Sequence, residues 1–300
     1  MSHIISQREI VLRRNAFLEP HEILPTSDGK RLFLRHWPSA APSPVSVLIL
    51  HGISAYSGAY SGFLGEPLAR AGFDTWGLDL RGHGLSDGRR GDCPSPQRFE
   101  ADLKEAAGFV RTRSRRLVVL GHSLGVLSAL VTQRVAPEKV DGLVLLSAAR
   151  HLNPGVFPPP SGADILKALL GVAFLHHSRL IEYRRTGQLG REDPLYNFRY
   201  SVKFYEAAYG TSFLVLSGML REGSLDVPNL RPSPSLQVPV LVGVGDQDEI
   251  FPVEAVRSFY ESLPTRRREF MVIPGGHHAH FPPQELKPLT DWLRRSFPTH

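Results

Sequence analysis

The chain has 300 residues, of which 42% are hydrophobic, and 35 Lys and Arg against 29 Asp and Glu give a formal net charge of +6. This composition is typical of a soluble globular protein with one large α/β domain or two small ones. No apolar stretch reaches the length of a membrane span, residues 1–14 lack a signal-peptide core, and the single cysteine, Cys93, excludes an intramolecular disulfide, so we expect a cytoplasmic protein.

Short apolar runs alternate with helical patterns along most of the chain, which predicts a mostly parallel sheet with helices on both faces. The predicted elements are, in chain order, strand Arg31–Trp37, strand Val45–Leu50, helix Gly62–Ala71, strand Phe73–Leu80, helix Pro96–Arg111, a strand from Leu117, helix Val126–Val135, strand Gly142–Ser147, strand Val240–Gly245, helix Val253–Leu263, strand Arg268–Ile273 and helix Glu285–Phe297.

The alternation breaks over residues 151–235, where helical stretches appear without a strong buried strand. Pro-rich loops flank this segment, which contains the apolar runs Ile165–Phe174 and Ser212–Leu220. Because open α/β sheets bind ligands at the carboxyl ends of their strands, we interpret the segment as a helical lid inserted into a core of residues 1–150 and 236–300. The alternative is a second small domain with no part in the site.

At Gly121-His122-Ser123-Leu124-Gly125 the chain turns from an apolar run into a helical pattern. This is the layout of a nucleophile elbow, in which the serine adopts a strained conformation and the glycines beside it leave room for the turn. The helix start presents free N–H groups and a positive dipole end to a developing oxyanion. The segment predicts that Ser123 attacks a carbonyl carbon, with an ordinary turn as the alternative.

A serine hydroxyl is a weak nucleophile until a histidine takes its proton, and that imidazole needs a carboxylate partner. Three acids, Asp246, Asp248 and Glu249, follow the strand that begins at Val240. We select Asp248 because it lies far enough beyond the strand to turn over the sheet edge. The side chain of Asp246 is expected to hydrogen-bond to its own backbone and so to form the turn after the strand.

Three histidines, His277, His278 and His280, follow a Gly-Gly turn after the last predicted strand. His278 has the spacing expected of the proton acceptor, and the other two are the alternatives. A zinc site is a further interpretation of the cluster. It would need an additional group of carboxylates or histidines, which the chain does not show, so we expect no metal and no cofactor.

The oxyanion of an acyl-transfer intermediate needs two N–H donors aimed at one point. One is expected from Leu124, directly after the nucleophile. The other is expected from the loop that follows the first buried strand, where glycine lets the backbone approach closely and Ile53 supplies the amide. In the same loop His51 and Gly52 are candidate substrate contacts, with an ordinary strand-end turn as the alternative.

Four segments together resemble the α/β-hydrolase superfamily and, within it, the monoacylglycerol lipase and lysophospholipase-like group that is also classed with serine aminopeptidases. They are residues 51–60, 79–88, 121–125 and 245–252. The resemblance implies the α/β-hydrolase fold and a carboxylester hydrolase acting on a lipid-like ester. The implied triad is Ser123, Asp248 and His278, and the implied oxyanion donors are Ile53 and Leu124.

The resemblance also bears on the inserted segment, where Asp193-Pro194-Leu195 looks like a short motif from the lids of this branch. The sequence departs from the family at Val126, where a smaller residue is common, and in the insertion beyond Asp193, most of all from residue 213 to residue 234. The 79–88 segment is expected to be structural, so His83 receives no catalytic role. Apolar lid residues are candidates to line the acyl pocket or to pack inside the lid: Leu166, Leu169, Leu170 and Phe174.

The predicted partner is a small-molecule or lipid ester. Another acyl-transfer enzyme with the same triad, such as a thioesterase, acyltransferase or peptidase, is the first alternative, and a hydrolase-fold binding protein is the second. Arginine clusters at 113–116, 184–185 and 266–268 are interpreted as solvated loop ends or as a face for peripheral membrane contact. We expect no nucleic-acid binding, because no aromatic and basic recognition motif accompanies them. The sequence makes no prediction of the oligomeric state.

Overall fold

One large β-sheet organises the fold. The structure, a computed structural model, describes residues 5–153, 166, 174–175 and 193–298. Within these ranges the strands are, in chain order, β1 (His21–Pro25), β2 (Arg31–Trp37), β3 (Val45–Leu50), β4 (Asp74–Leu78), β5 (Arg116–His122), β6 (Gly142–Leu146), β7 (Phe174–Leu175), β8 (Arg199–Tyr200), β9 (Val240–Gly245) and β10 (Arg268–Ile273). Eight form one sheet in the order β1-β2-β4-β3-β5-β6-β9-β10, and β7 pairs with β8 separately.

From β4 to β10 in this order neighbouring strands run parallel, whereas β2 lies antiparallel to both β1 and β4. The parallel strands β3, β6 and β9 are buried along their whole length, because both faces of the sheet are covered. Two-sided burial explains why these strands are nearly continuous apolar runs in the sequence, which only Ser46 of β3 interrupts with a polar side chain. Parallel strands end at the same edge, so the loops after β3, β5, β9 and β10 meet there.

Helices cover the two faces and bury two separate apolar layers. Within the described residues they are α1 (Gln7–Asn15), α2 (Glu66–Arg70), α3 (Pro96–Arg111), α4 (Leu124–Val135), α5 (Val202–Tyr209), α6 (Phe213–Arg221), α7 (Val253–Glu261) and α8 (Lys287–Ser296). α3 to α7 contribute to one layer, and α2 and α8 contribute to the other. In these ranges no helix is both long enough and apolar enough to cross a lipid bilayer.

The predicted α/β class, with a mostly parallel sheet and helices on both faces, is confirmed. β2, β3, β9, β10 and α3 begin and end where the sequence predicts. The start of α3 has a clear local cause, because the Ser95 hydroxyl accepts the Arg98 amide proton and Pro96 occupies the first helical position. The predicted helix at 62–71 is instead a π-helical turn, Ser61–Gly65, followed by the shorter α2.

Outside residues 151–235, the helix α1 and the strand β1 are observed but absent from the predicted set. α1 lacks an apolar stripe, since its buried residues are Ile10 and the cation Arg14. The Arg14 guanidinium donates to the Asp87 carboxylate and to the Leu85 carbonyl, so a buried ion pair docks this helix. β1 is a short, half-buried edge strand, and within the described ranges it pairs only with β2. Neither element carries the periodic apolar signal on which the prediction relies.

The longest described part of the predicted lid, residues 193–235, packs closely on the rest of the molecule. α5 contacts α3, α4 and α6. Its buried residue Phe204, with Tyr200 before it and Leu216 on α6, belongs to the same apolar layer as α3 and α4. The assignment of a lid to residues 151–235 stays a prediction.

Candidate active site

The turn from β5 to α4 holds Ser123 at the carboxyl edge of the sheet. Ser123 has a φ of 56°, a conformation that non-glycine residues rarely adopt. Its N–H donates to the Leu146 carbonyl of the neighbouring strand β6 at 2.9 Å. Such strain costs about 1–3 kcal/mol and persists only where the surrounding structure enforces it, which is common at functional sites.

The glycines on either side of this turn are required by close backbone contacts. A Cβ at Gly125 would lie 1.9 Å from the Leu50 carbonyl oxygen, and a Cβ at Gly121 would lie 2.2 Å from the Gly125 carbonyl oxygen. β3, β5 and the first turn of α4 therefore approach each other at distances that no side chain permits. This is the physical reason for the Gly-x-Ser-x-Gly pattern in this chain.

Gly125→Ala is expected to destabilise the fold by about 3 kcal/mol or more, because the new methyl group forces backbone to move. Gly108→Ala in α3 is the matched control, since a Cβ there meets nothing within 4 Å. It is expected to stabilise the protein by about 0.5–1 kcal/mol. Urea unfolding followed by circular dichroism measures both, and equal stabilities would contradict the steric role of Gly125.

Ser123, His278 and Asp248 form one line of hydrogen bonds. Ser123 Oγ lies 3.0 Å from His278 Nε2, and His278 Nδ1 lies 3.1 Å from each carboxylate oxygen of Asp248. Asp248 follows β9 and His278 follows β10, and these two strands are parallel neighbours. The topology therefore delivers both side chains to the edge where β5 delivers the serine.

The environment of Asp248 keeps its carboxylate charged. Its side chain is 0% exposed, and its Oδ1 accepts the amide protons of Ile250 at 2.9 Å and Phe251 at 3.0 Å. Burial alone raises the pKa of this carboxyl, but the facing His278 and the two amides outweigh that effect and hold the pKa below its usual value. The anion accepts Nδ1–H of His278, which leaves Nε2 to accept the proton of the Ser123 hydroxyl.

The acids and histidines that were alternatives to Asp248 and His278 lie outside this line of hydrogen bonds. Asp246 is exposed at the end of β9. Glu249 contacts the Nδ1 of His277 at 2.9 Å and accepts the backbone N–H of His278 at 2.9 Å, so it holds the histidine turn by its backbone. His280 is exposed and pairs with His277 through the main chain. Over the described ranges, no group of three or more His, Cys, Asp or Glu side chains is arranged to hold a metal ion.

The predicted oxyanion donors lie beside Ser123. A Cβ at Gly52 would lie 3.1 Å from the Ser123 Cβ, so the loop after β3 passes close to Ser123. The Gly52 N–H donates to the Tyr60 hydroxyl and the Ser54 N–H donates to the Tyr200 hydroxyl, at 2.8 and 2.6 Å. The Ile53 N–H between them has no acceptor among the described residues, and the same holds for the N–H of Leu124 at the start of α4.

His51 supports this loop through both ring nitrogens. Its Nδ1 donates to the Gly52 carbonyl at 2.8 Å and its Nε2 accepts the Leu80 N–H at 3.1 Å. The buried His83 ring packs against it, with ring centroids 5.1 Å apart, and bonds the Arg81 carbonyl through Nδ1. These contacts fit the structural role expected of the 79–88 segment, and substrate contact by His51 stays a prediction.

The candidate pocket residues of the predicted lid are described only in part. Leu166 is 58% exposed. Leu169 and Leu170 lie outside the described residues, and of Phe174 only the backbone pairing with Tyr200 is described. Their role in an acyl pocket therefore stays a prediction.

The motif at Asp193 is bonded to the loop after β3. Its carboxylate accepts the Tyr56 hydroxyl proton and the Leu195 N–H. The Asn197 N–H donates to the Ser54 carbonyl at 2.9 Å. These bonds join the start of residues 193–200 to the loop that contains the predicted oxyanion donor.

Two of the arginine clusters lie at the edge of the sheet opposite Ser123. Residues 113–116 lead into β5 and residues 266–268 lead into β10, so both stand at the amino ends of parallel strands. Arg116 also pairs with Asp141 at 2.8 Å, which neutralises part of the charge. Residues 184–185 lie outside the described residues. The two described clusters do not face the edge that holds the candidate site.

Acid is expected to destabilise the protein because three buried histidines are held neutral. Burial lowers the pKa of His51 and His83, and burial together with the nearby His278 lowers that of His122 to about 3. Below about pH 6.5 the unfolded chain binds more protons on these rings than the folded protein does, so the free energy of unfolding falls as the pH drops. For His122 alone the loss is on the order of 2 kcal/mol at pH 5.

Thermal unfolding between pH 7.5 and pH 5 measures this effect. The variant His122→Gln lacks one of the three rings and is expected to lose less stability over the same interval. A wild-type melting temperature that stays constant down to pH 5 would contradict the neutral, buried state of these histidines.

The prediction missed two residues that lie directly behind the site, Tyr60 and His122. Both fall inside the segments quoted for the family resemblance, and the Tyr60 hydroxyl lies 2.7 Å from His122 Nδ1. They are 62 positions apart. Spacing along the chain therefore gives no signal that joins them, because the contact exists only once β3 and β5 are paired.

Comparison with known proteins gives concordant matches. Residues 42–285 match the family model described as serine aminopeptidase, S33. A monoacylglycerol lipase of Mycolicibacterium smegmatis is 26% identical over 282 residues, which cover 88% of this chain and 93% of that protein. The uncharacterized protein YnbC of Escherichia coli is 27% identical over 275 residues, but the match covers 88% of this chain and only 44% of YnbC.

The fold also matches a solved structure. A soluble variant of the monoglyceride lipase from Saccharomyces cerevisiae, in complex with a substrate analog, superposes with a TM-score of 0.69 over 95% of this chain and 97% of that chain, at 17% identity. The family model and the sequence relative confirm the predicted resemblance to the monoacylglycerol lipase-like branch and the prediction of a carboxylester hydrolase. The structural match confirms the fold. Since the family model matches most of the chain, the protein belongs to the serine aminopeptidase S33 family of α/β-hydrolases.

Proposed function

We propose that the protein hydrolyses lipid-like carboxylic esters of the monoacylglycerol or lysophospholipid type through an acyl-enzyme on Ser123. The observation that carries the proposal is the line of hydrogen bonds from Ser123 through His278 to the buried Asp248. The substrate class is supported by the Mycolicibacterium smegmatis relative, which is named a monoacylglycerol lipase and aligns over nearly its whole length.

In the first half of the reaction, Ser123 Oγ attacks the ester carbonyl carbon while His278 Nε2 takes the hydroxyl proton. The carbonyl oxygen becomes an oxyanion, which the N–H groups of Ile53 and Leu124 stabilise. The Asp248 carboxylate stabilises the imidazolium and remains ionised. The imidazolium then gives its proton to the leaving alcohol as the C–O bond breaks, and the acyl group stays on Ser123.

In the second half, the same groups act on a water molecule. His278 Nε2 takes a proton from water as its oxygen attacks the acyl carbon, and the oxyanion forms again beside Ile53 and Leu124. When the bond to Ser123 Oγ breaks, the imidazolium returns the proton to that oxygen. The products are a free carboxylic acid and the regenerated serine.

A direct test combines turnover with covalent labelling. The purified protein is assayed on 1-monoacylglycerol, lysophosphatidylcholine, short and long p-nitrophenyl esters and an aminoacyl p-nitroanilide, and is labelled with a fluorophosphonate. We expect hydrolysis of the lipid esters and labelling of native but not heat-denatured protein. An absence of labelling where a control hydrolase reacts would overturn the enzyme proposal. Cleavage of the anilide alone would replace the proposed substrate class with peptides, in keeping with the name of the family.

A further inference from the structure

Behind Ser123, buried groups form a continuous chain of hydrogen bonds between two loops of the candidate site. The Gly52 N–H donates to the Tyr60 hydroxyl oxygen at 2.8 Å, and the Tyr60 oxygen lies 2.7 Å from His122 Nδ1. His122 Nε2 lies 2.6 Å from the carbonyl oxygen of His278. Tyr60 and His122 are each 3% exposed, so solvent does not compete for these bonds.

Only one arrangement of protons satisfies this chain. The His278 carbonyl can only accept, so the Nε2 of His122 carries the proton. The buried His122 ring is neutral, since its pKa is lowered to about 3, and its Nδ1 is therefore an acceptor. The Tyr60 hydroxyl donates to that nitrogen, and its oxygen accepts the Gly52 N–H. Every donor has an acceptor, and reversing any bond would leave a buried polar group unpaired.

At one end, the chain fixes the loop that carries the predicted oxyanion donor. With the Gly52 N–H bonded to Tyr60, the next amide, that of Ile53, is left without a protein acceptor among the described residues. Gly52 is also packed tightly, because a Cβ there would lie 3.1 Å from the Ser123 Cβ and 3.2 Å from the Tyr60 hydroxyl. Movement of the Tyr60 hydroxyl would therefore displace the backbone beside the nucleophile.

At the other end, the chain fixes the backbone of His278. Its carbonyl accepts the His122 proton, while its N–H donates to Glu249 Oε2 at 2.9 Å. Both polar backbone groups of the residue are thereby held, and the ring can pivot only about its side-chain torsions. Phe63 and Phe281 pack against the His122 ring, with centroids 6.2 and 5.6 Å away, and exclude water from the chain.

We propose that Tyr60 and His122 are positioning residues, which set the placement of the Ile53 amide relative to the His278 imidazole around Ser123. The inference rests on the proposed function, because it assigns these residues to the same acyl-transfer site. Acyl transfer needs the proton acceptor and the oxyanion donors to reach one tetrahedral carbon at once. A displacement of about 1 Å can cost on the order of 100-fold in rate.

Tyr60→Phe removes the shared hydroxyl and keeps the ring. We expect kcat per active site to fall by about 10- to 100-fold, with KM changed less than about threefold, since ground-state binding is retained. The rate of fluorophosphonate labelling is expected to fall in parallel. His122→Leu removes both ring nitrogens and is expected to lose more, whereas His122→Gln keeps an N–H donor for the His278 carbonyl and is expected to recover part of the loss.

The matched control is Tyr209→Phe, which changes a buried tyrosine at the end of α5, away from the candidate site. It is expected to leave kcat and KM unchanged. Active-site titration and thermal unfolding separate a loss of folded protein from a loss of rate. Full kcat per active site in Tyr60→Phe, with lowered stability only, would reduce Tyr60 to a packing residue and overturn the proposal.

A second measurement does not depend on turnover. NMR of protein with ¹⁵N-labelled histidine is expected to show His122 as the neutral Nε2–H tautomer, and its Nδ1 resonance is expected to shift in Tyr60→Phe. A proton on Nδ1 in the wild type would overturn the proposal whatever the enzyme hydrolyses. Failure of the proposed function would appear differently, as a wild-type protein that neither turns over esters nor reacts with the fluorophosphonate.

Discussion

Ser123→Ala is expected to lower kcat on ester substrates by on the order of 10⁶-fold and to abolish labelling by a fluorophosphonate. The variant retains the predicted oxyanion amides of Ile53 and Leu124, but it has no oxygen 3.0 Å from His278 Nε2 to form the acyl bond. The fold is expected to persist. Alanine has the same Cβ as serine, so the contact with Gly52 and the strain at φ 56° are unchanged.

Ser128→Ala is the matched control, one turn and a half further along α4. Its hydroxyl is buried and, among the described residues, has no hydrogen-bond partner, so its removal is expected to leave turnover and labelling intact. Intact-protein mass spectrometry counts the covalent adducts on both variants. An adduct that survives Ser123→Ala would move the nucleophile to another residue, and loss of the adduct in Ser128→Ala would point to a general disturbance of α4.

The most accurately predicted elements are those whose local residue types already reflect their burial or their capping contacts. β3 is apolar at every position except Ser46 because both of its faces are covered, and α3 starts where Ser95 and Pro96 supply a cap and a preset first turn. The elbow at Ser123 is recognisable for the same reason, because Gly121 is required by the backbone at the start of α4 and Gly125 by the end of the neighbouring strand β3. At these positions the residue type that the tertiary contacts require is also the one that the local sequence pattern indicates.

Contacts between distant loops are harder to predict. Three acids compete after β9, and their order along the chain does not show that two amides turn Asp248 inward while Glu249 reaches the backbone of His278. The link between Tyr60 and His122 likewise depends on the pairing of β3 with β5. Residue types and their spacing along the chain show neither of these sets of contacts. The candidate serine, acid and histidine thus stand in the expected order along the chain, whereas the sequence does not show the hydrogen bonds that orient them.

Asp248→Asn is expected to lower kcat by about 10⁴-fold while leaving the fold intact. Oδ1 of Asp248 accepts two amide protons, from Ile250 and Phe251. In the variant this position favours the amide oxygen, which directs the NH₂ group toward Nδ1 of His278, 3.1 Å away. Two donors cannot share that bond, so the imidazole is driven to carry its proton on Nε2. In that tautomer it cannot accept the proton of the Ser123 hydroxyl.

The exposed Asp246→Asn is the control, since it makes the same change of charge two residues away and is expected to retain wild-type kcat. Glu249→Gln is expected to have an effect on kcat that lies between those of the other two variants. Its carbonyl oxygen can still accept the His278 N–H, so we expect a smaller loss than in Asp248→Asn. Steady-state kinetics per titrated active site rank the three variants. Equal losses at Asp246 and Asp248 would assign the effect to the general charge of this loop, and a loss of less than tenfold in Asp248→Asn would mean that the tautomer of His278 is set by some other group.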